Sequence, residues 1–310
     1  MKKSNSLILL LLSILVFGQS CERFYPDEVH NLNDGKVLRI GHGGLGFVSL
    51  YPFNPYPANS FKALKLALEE YKADGIEVDL QMTSDNKLVL YHDNYLDSKT
   101  HLKNCVSNYD YDEIVGTEYK LGIPYDWFQS EKIIDLESLL TYVKATNLSP
   151  LIHIDIRHFS HCLSAEENEV RMYQLVDELL ESLMRNTFPL ENVLLNSSSF
   201  ELCNYIMRKE ARVDVSFEIN TEVDNWIPKV HSAGIKYVTI KPKLLDQKLS
   251  ERWHNLGIQV ITFGGARKKW NIELLRTNPD IIQTDHLSSL NELLLDAIDP
   301  NLLDAIDPNR

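Results

Sequence analysis

Residues 75–93 read GIEVDLQMTSDNKLVLYHD, and their pattern decides the fold. From residue 76 to 80 apolar and acidic side chains alternate. Ile76, Val78 and Leu80 take one face of a strand, and Glu77 and Asp79 take the other. A second apolar run, 88–91, follows the connection TSDN, which is too short for a parallel crossover, so the two runs form a hairpin. Further strand-like runs fall at 37–40, 151–156, 193–195, 213–218, 237–240, 259–263 and 281–283. Helix-period segments lie between most of them, at 60–71, 136–146, 166–185, 200–209, 222–233, 249–256 and 272–277. With the hairpin counted once, the strands supply eight staves. Alternation of this kind without a break in composition predicts one α/β domain, a (β/α)8 TIM barrel over residues 37–292.

The N-terminus has a different character. MKKSNSLILLLLSILVFGQSC places two lysines before an apolar run from Leu7 to Phe17, then small or polar residues before Cys21. That is the layout of a bacterial export signal, with an apolar core too short to span a bilayer comfortably. A cysteine directly after it predicts cleavage before Cys21 and lipid attachment to its thiol, although Gly18 stands where such signals usually carry Leu. The expected location is the cell envelope, with the barrel held to a membrane by its acylated N-terminus through a polar tether, residues 21–36.

The chain carries a formal charge of −13, and loss of residues 1–20 would remove two lysines and no acid, giving −15. A surface so acidic argues against nucleic acid, whose phosphates need a cationic footprint. An anionic substrate would need local positive charge from a metal or a few cations. Cys105, Cys162 and Cys203 show no zinc spacing; two could pair in an exported protein, and the sequence does not say which. At the C-terminus LLDAIDPN from Leu294 is repeated from Leu302, and two copies are too few for a solenoid. Residues 293–310 are expected to be a peripheral tail.

The candidate chemistry begins with GHGGLG, residues 41–46. It satisfies G-x-G-x-x-G after a strand but runs into FVSLYPFNPYPAN, which is loop, so no helix N-terminus is available for a pyrophosphate. No G-x-S-x-G elbow exists to make it an esterase oxyanion loop. What remains is His42 at the C-terminal end of the first strand, the rim where barrel enzymes place their chemistry. Glu77 and Asp79 on the inner face of a buried strand repel one another and call for compensation, most simply by a hard divalent cation. In LIHIDIRHF, His153, Asp155 and Arg157 share a face, adding a third carboxylate and a guanidinium suited to phosphate oxygens. An internal Asp155–Arg157 pair is the plainer alternative. Asp93 is expected to orient its loop.

IGHGG, the AN of YPANSFKALKLAL, GIEVDLQMTSDNKLVLYHD, KIIDLESLL, HIDIR, SSSF and DIIQTD fall in this order along the chain. Together they resemble the glycerophosphodiester phosphodiesterases from residue 37 to 286. The resemblance implies a (β/α)8 barrel of the phosphatidylinositol-phospholipase-C-like type and a calcium or magnesium ion. By position, His42 and His92 match the acid–base pair. Glu77 and Asp79 match metal ligands, Asp155 falls where the family has a glutamate ligand, and Arg157 where it has a phosphate-binding lysine. One histidine would take a proton from the nucleophile, in this family the neighbouring glycerol hydroxyl. The other would protonate the leaving alcohol, giving a cyclic phosphate whose hydrolysis would release glycerol 3-phosphate.

Two departures stand out. The family's H-R-G is His42-Gly43-Gly44 here, and its P-E-N is Pro57-Ala58-Asn59. A cation and an anion are therefore missing from neighbouring loops, and Arg157 is the expected substitute for the cation. The loop from 43 to 57 is also longer and more aromatic than the family's. Two other readings stay open: lyase-type cleavage of a lipid phosphodiester, as in sphingomyelinase-D-like barrels, and a catalytically weakened envelope binding protein.

Overall fold

The computed structural model describes residues 29–146 and 148–295. Cys21, the expected leader and nearly all of the duplicated octads lie outside them. In chain order the strands and helices are β1 (Leu38–Gly41), β2 (Ser49–Leu50), β3 (Phe53–Asn54), α1 (Phe61–Glu69), β4 (Gly75–Met82), β5 (Leu88–Leu90), α2 (Tyr111–Ile114), β6 (Ile134–Asp135), α3 (Leu136–Ala145), β7 (Leu151–Ile156), α4 (Ala165–Arg185), β8 (Val193–Ser197), α5 (Phe200–Lys209), β9 (Asp214–Ile219), α6 (Val223–Ala233), β10 (Tyr237–Ile240), α7 (Gln247–His254), β11 (Gln259–Gly264), α8 (Lys268–Leu275), β12 (Ile281–Thr284) and α9 (Leu287–Leu295).

Strands β1, β4 and β7 to β12 pair in parallel, and β1 closes the ring by pairing with both β4 and β12. This is the eight-staved barrel. β5 is antiparallel to β4, as the short TSDN turn requires, and it extends the sheet with β6 outside the ring. The sequence reading omitted α9, whose buried Leu287, Leu290, Leu293 and Leu294 repeat at helical spacing. The start of the expected C-terminal tail therefore belongs to this helix.

Alternation along each stave builds two environments. Outward-facing Ile76, Val78, Leu80, Ile152 and Ile154 are fully buried against helices in the main core. Helix α1 shows the complementary face, burying Ala63, Leu64, Ala67 and Leu68, and starts where the Ser60 hydroxyl accepts from the Ala63 amide at 3.3 Å. Inside the barrel, Ile40, Leu194, Ile261 and Ile281 form a separate apolar cluster. Two residues further along β8, and at or one past the end of β1, the inner face turns polar with Asn196 and His42. The barrel is thus sealed by hydrocarbon at one end and opens into ionisable groups at the C-terminal rim.

A disulfide, Cys105–Cys162, ties the long β5–β6 connection to the loop after β7, and Cys203 is free and buried.

Candidate active site

The register of β4 on β7 sets Glu77 beside His153 and Asp79 beside Asp155. Glu77, Asp79 and Asp155 each bring an oxygen within 4.8 Å of the others. Each carboxylate is also held by a neighbour. The Gly43 amide donates to Glu77 Oε2 at 2.7 Å, the Asn59 amide to Asp79 Oδ2 at 2.7 Å, and the Asn196 amide to Asp155 Oδ1 at 3.0 Å. Asn59 works twice: its Oδ1 accepts from the Asp79 backbone N–H at 3.0 Å.

Arg157 lies across this group. Its Nε and Nη2 donate to Asp79 Oδ1 at 2.8 and 2.6 Å, and Nε is 3.0 Å from Asp155 Oδ2. The Asp155–Arg157 pair therefore exists, extended to Asp79, with a third of the arginine side chain still exposed at the mouth. Three carboxylates against one guanidinium leave two net negative charges. Burial and the charge of Asp79 push the Glu77 carboxyl up to about 8, and burial pushes Asp155 up to about 6. Without further positive charge Glu77 keeps a proton that a carboxyl normally gives up at neutral pH. An all-oxygen donor set with this charge fits a hard divalent cation.

Both histidines lean on carboxylates at the same rim. His42 Nδ1 is 2.7 Å from Asp285 Oδ1, and its Nε2 is 4.0 Å from Glu77. Burial alone would lower its pKa, but the hydrogen bond to Asp285 and the charge of Glu77 prevail and raise it to about 9. His92 Nδ1 is 2.6 Å from Asp93 Oδ1. Asp93 thus orients the His92 ring as well as its loop, and it also accepts from Ser98 at 2.6 Å and from Lys99 at 3.2 Å. Phe47 stands edge-on to both imidazoles, with centroids 4.9 Å from His42 and 5.0 Å from His92. Phe47 and Asp285 also line a cavity of about 410 Å³, whose other walls include Leu45, Val48, Tyr56 and Leu287.

His153 is deeper. Its Nδ1 pairs with Gln283, and burial lowers its pKa to about 3, so it is a neutral member of the barrel interior. Sequence reasoning assigned no role to Asp285, Asn59 or Lys99. Asp285 was legible, because Ile281, Gln283 and Asp285 continue the period-two inner face of β12. Lys99 was not, since it sits in an irregular connection with no period.

The glycines around His42 serve close approach. Gly46 has φ +77° and stands against the Asp285 backbone, where a Cβ would come within 2.4 Å of its carbonyl oxygen. The loop can therefore bring His42 to its carboxylate partner.

Fold and rim together define an enzyme barrel with two carboxylate-backed histidines and three clustered carboxylates at one centre. Residues 51–289 match the model of the Glycerophosphoryl diester phosphodiesterase family, and the chain belongs to that family and is a phosphodiesterase. It is 26% identical over 245 residues to the uncharacterized protein YqiK of Bacillus subtilis, covering 77% of this chain and 93% of that protein. Over 131 residues it is 30% identical to a glycerophosphodiester phosphodiesterase of Bacillus altitudinis, covering 41% of this chain and 52% of that one. Among solved structures, a phosphodiesterase of Oleispira antarctica in complex with the product sn-glycerol-3-phosphate has a TM-score of 0.68 at 14% identity, covering 83% of this chain and 96% of that one.

Proposed function

We propose that the chain hydrolyses glycerophosphodiesters to glycerol 3-phosphate and an alcohol by a two-histidine, metal-assisted mechanism. The observation that carries this reading is the meeting of two carboxylate-backed histidines and three clustered carboxylates, two of them buried, at one barrel rim. Glu77, Asp79 and Asp155 would hold a divalent cation, calcium or magnesium, which would neutralise charge on the phosphoryl oxygens. Arg157 braces two of these carboxylates and offers its exposed edge to the phosphate.

His92 acts as the base. Its Nδ1–H is committed to Asp93, which leaves Nε2 to accept a proton from the attacking hydroxyl, the neighbouring glycerol hydroxyl in the family's manner. His42 acts as the acid. Surrounded by Asp285 and Glu77, it passes its proton to the leaving alcohol as the P–O bond to that alcohol breaks. The new bond from the glycerol hydroxyl makes a cyclic phosphate, which water then opens to glycerol 3-phosphate, with His42 taking a proton from the water and His92 returning one to the glycerol oxygen. We place the enzyme in the bacterial envelope, lipid-anchored through Cys21. The Cys105–Cys162 disulfide supports an oxidising compartment.

The test is an assay of the purified protein against a panel of glycerophosphodiesters and lipid phosphodiesters, with calcium, magnesium or chelator. Release of glycerol 3-phosphate that chelator abolishes is the expected result. Cyclic phosphate released from a lipid substrate, with glycerophosphodiesters untouched, would favour the lyase reading, which the aromatic loop after β1 supports. No turnover of any diester with either metal would sink both.

A further inference from the structure

Two loops beside the active-site mouth share a property that phosphodiester chemistry does not require. Residues 45–58 follow β1 and carry the β2–β3 hairpin; residues 121–129 lie in the β5–β6 connection. Tyr51, Ile123 and Trp127 are 80%, 72% and 71% exposed, and Leu50, Phe53 and Phe128 are largely exposed beside them. The two loops form one surface, because the Phe53 ring meets Phe128 edge-on with centroids 5.1 Å apart. Burying large apolar side chains is favourable, so six of them left in water on adjoining loops mark a surface built for a partner.

Charge narrows the partner. From Phe47 to Ala58 the chain reads FVSLYPFNPYPA, without one charged residue, in a protein that is 24% charged with a net −13. In residues 121–129 the one charge is Asp126, and its carboxylate is turned back on its own loop, accepting from the Leu121 and Gly122 amides at 2.8 and 3.0 Å. The patch is therefore a neutral window in an acidic surface, able to approach a bilayer without the repulsion the rest of the protein would meet. Tyr and Trp flanked by Leu, Ile and Phe are the side chains that settle at the boundary between lipid headgroups and hydrocarbon.

Position narrows it further. The hairpin begins two residues after Phe47, the ring that touches both His42 and His92. A surface docked on these loops therefore lies next to the histidine pair, and the uncharged, Tyr- and Trp-bearing patch suits a lipid surface. We propose that these two loops are a bilayer-docking surface, which seats the barrel mouth at the headgroup level of a membrane. The significance of that seating rests on the phosphodiesterase reading, but docking itself can be measured without turnover.

The experiment uses the full chain with phosphatidylcholine vesicles whose acyl chains are brominated, which quench tryptophan on contact. The chain has four tryptophans, so the part of the quench lost in Trp127→Phe is the part that reads docking, even when the N-terminus also holds the membrane. The intact protein should be quenched, and Trp127→Phe should lose at least half of that quench. Leu50→Ser with Tyr51→Ser, which keeps Trp127, should lower it at least twofold while leaving hydrolysis of a soluble glycerophosphodiester and the thermal midpoint unchanged. A quench indifferent to both variants overturns the proposal. So does an absent quench with a dimer that the same substitutions dissociate, which would make the partner a second copy. Since quenching needs no catalysis, failure of docking and failure of the phosphodiesterase reading are distinguishable.

Discussion

Gly43 stands so close to Ala58 that a Cβ on Gly43 would lie 2.5 Å from the alanine methyl. These are the two positions where the family resemblance leads one to expect an arginine and a glutamate. The two departures from the resemblance therefore lie against one another, and neither position carries a charge. The Gly43 amide instead serves Glu77, and Asn59, next to Ala58, serves Asp79.

Restoring only the arginine should therefore harm the protein. Gly43 is buried with φ +54°, a left-handed conformation that side chains rarely adopt, and its Cβ direction is blocked by Ala58. Gly43→Arg is expected to lower stability by about 1–3 kcal/mol, read from the denaturant midpoint, and to leave activity no higher. A variant as stable as the natural chain and more active would show that the loop yields easily and that the lost arginine was missed.

Asp285 sets the proton affinity of His42. The hydrogen bond and charge of Asp285 raise the imidazole, and with Glu77 they carry it to about 9. A general acid works only while protonated, so activity should fall as pH rises through the pKa of His42, which a cation on Glu77 and Asp79 holds below its cation-free value. Asp285→Asn removes a raising influence, so the alkaline limb of kcat/KM should move to lower pH by roughly one unit or more at a fixed cation concentration. An unmoved limb would mean that His42 is not the acid.

The disulfide should be a stability element. It closes a span of 57 residues between two loops that flank His92 and Arg157. On the chain-entropy account a loop of that length is worth about 4 kcal/mol. Replacing Cys105 and Cys162 by Ser together should lower the unfolding free energy by about 2–4 kcal/mol in urea titrations. A change below about 0.5 kcal/mol would mean that the connections are fixed by packing alone.

The barrel was legible because its staves are short apolar or alternating runs at regular spacing, and the TSDN turn identified the one strand that is not a stave. The acidic triad was legible for the same reason: period-two alternation assigns Glu77, Asp79 and Asp155 to the inner face without knowledge of their neighbours. What escaped depends on long-range contact. Asn59, in a loop, hydrogen-bonds across to Asp79, and Lys99, in an irregular connection, reaches Asp93 and lies 5.6 Å from the Phe47 ring centroid. Arg157 was expected at the phosphate or paired with Asp155; the structure shows that pair and adds bonds to Asp79, which no local pattern specifies. The start of α8 was hidden by polar Lys268 and Lys269, with no side-chain cap to announce it.

The most direct measurement follows a glycerophosphodiester by phosphorus NMR with calcium or magnesium present, comparing the natural chain with His42→Ala and His92→Ala. Each substitution should slow release of glycerol 3-phosphate by about 10²–10⁴-fold while leaving the thermal midpoint nearly unchanged. Turnover that survives the loss of either histidine at the natural rate would contradict the two-histidine centre on which the account depends.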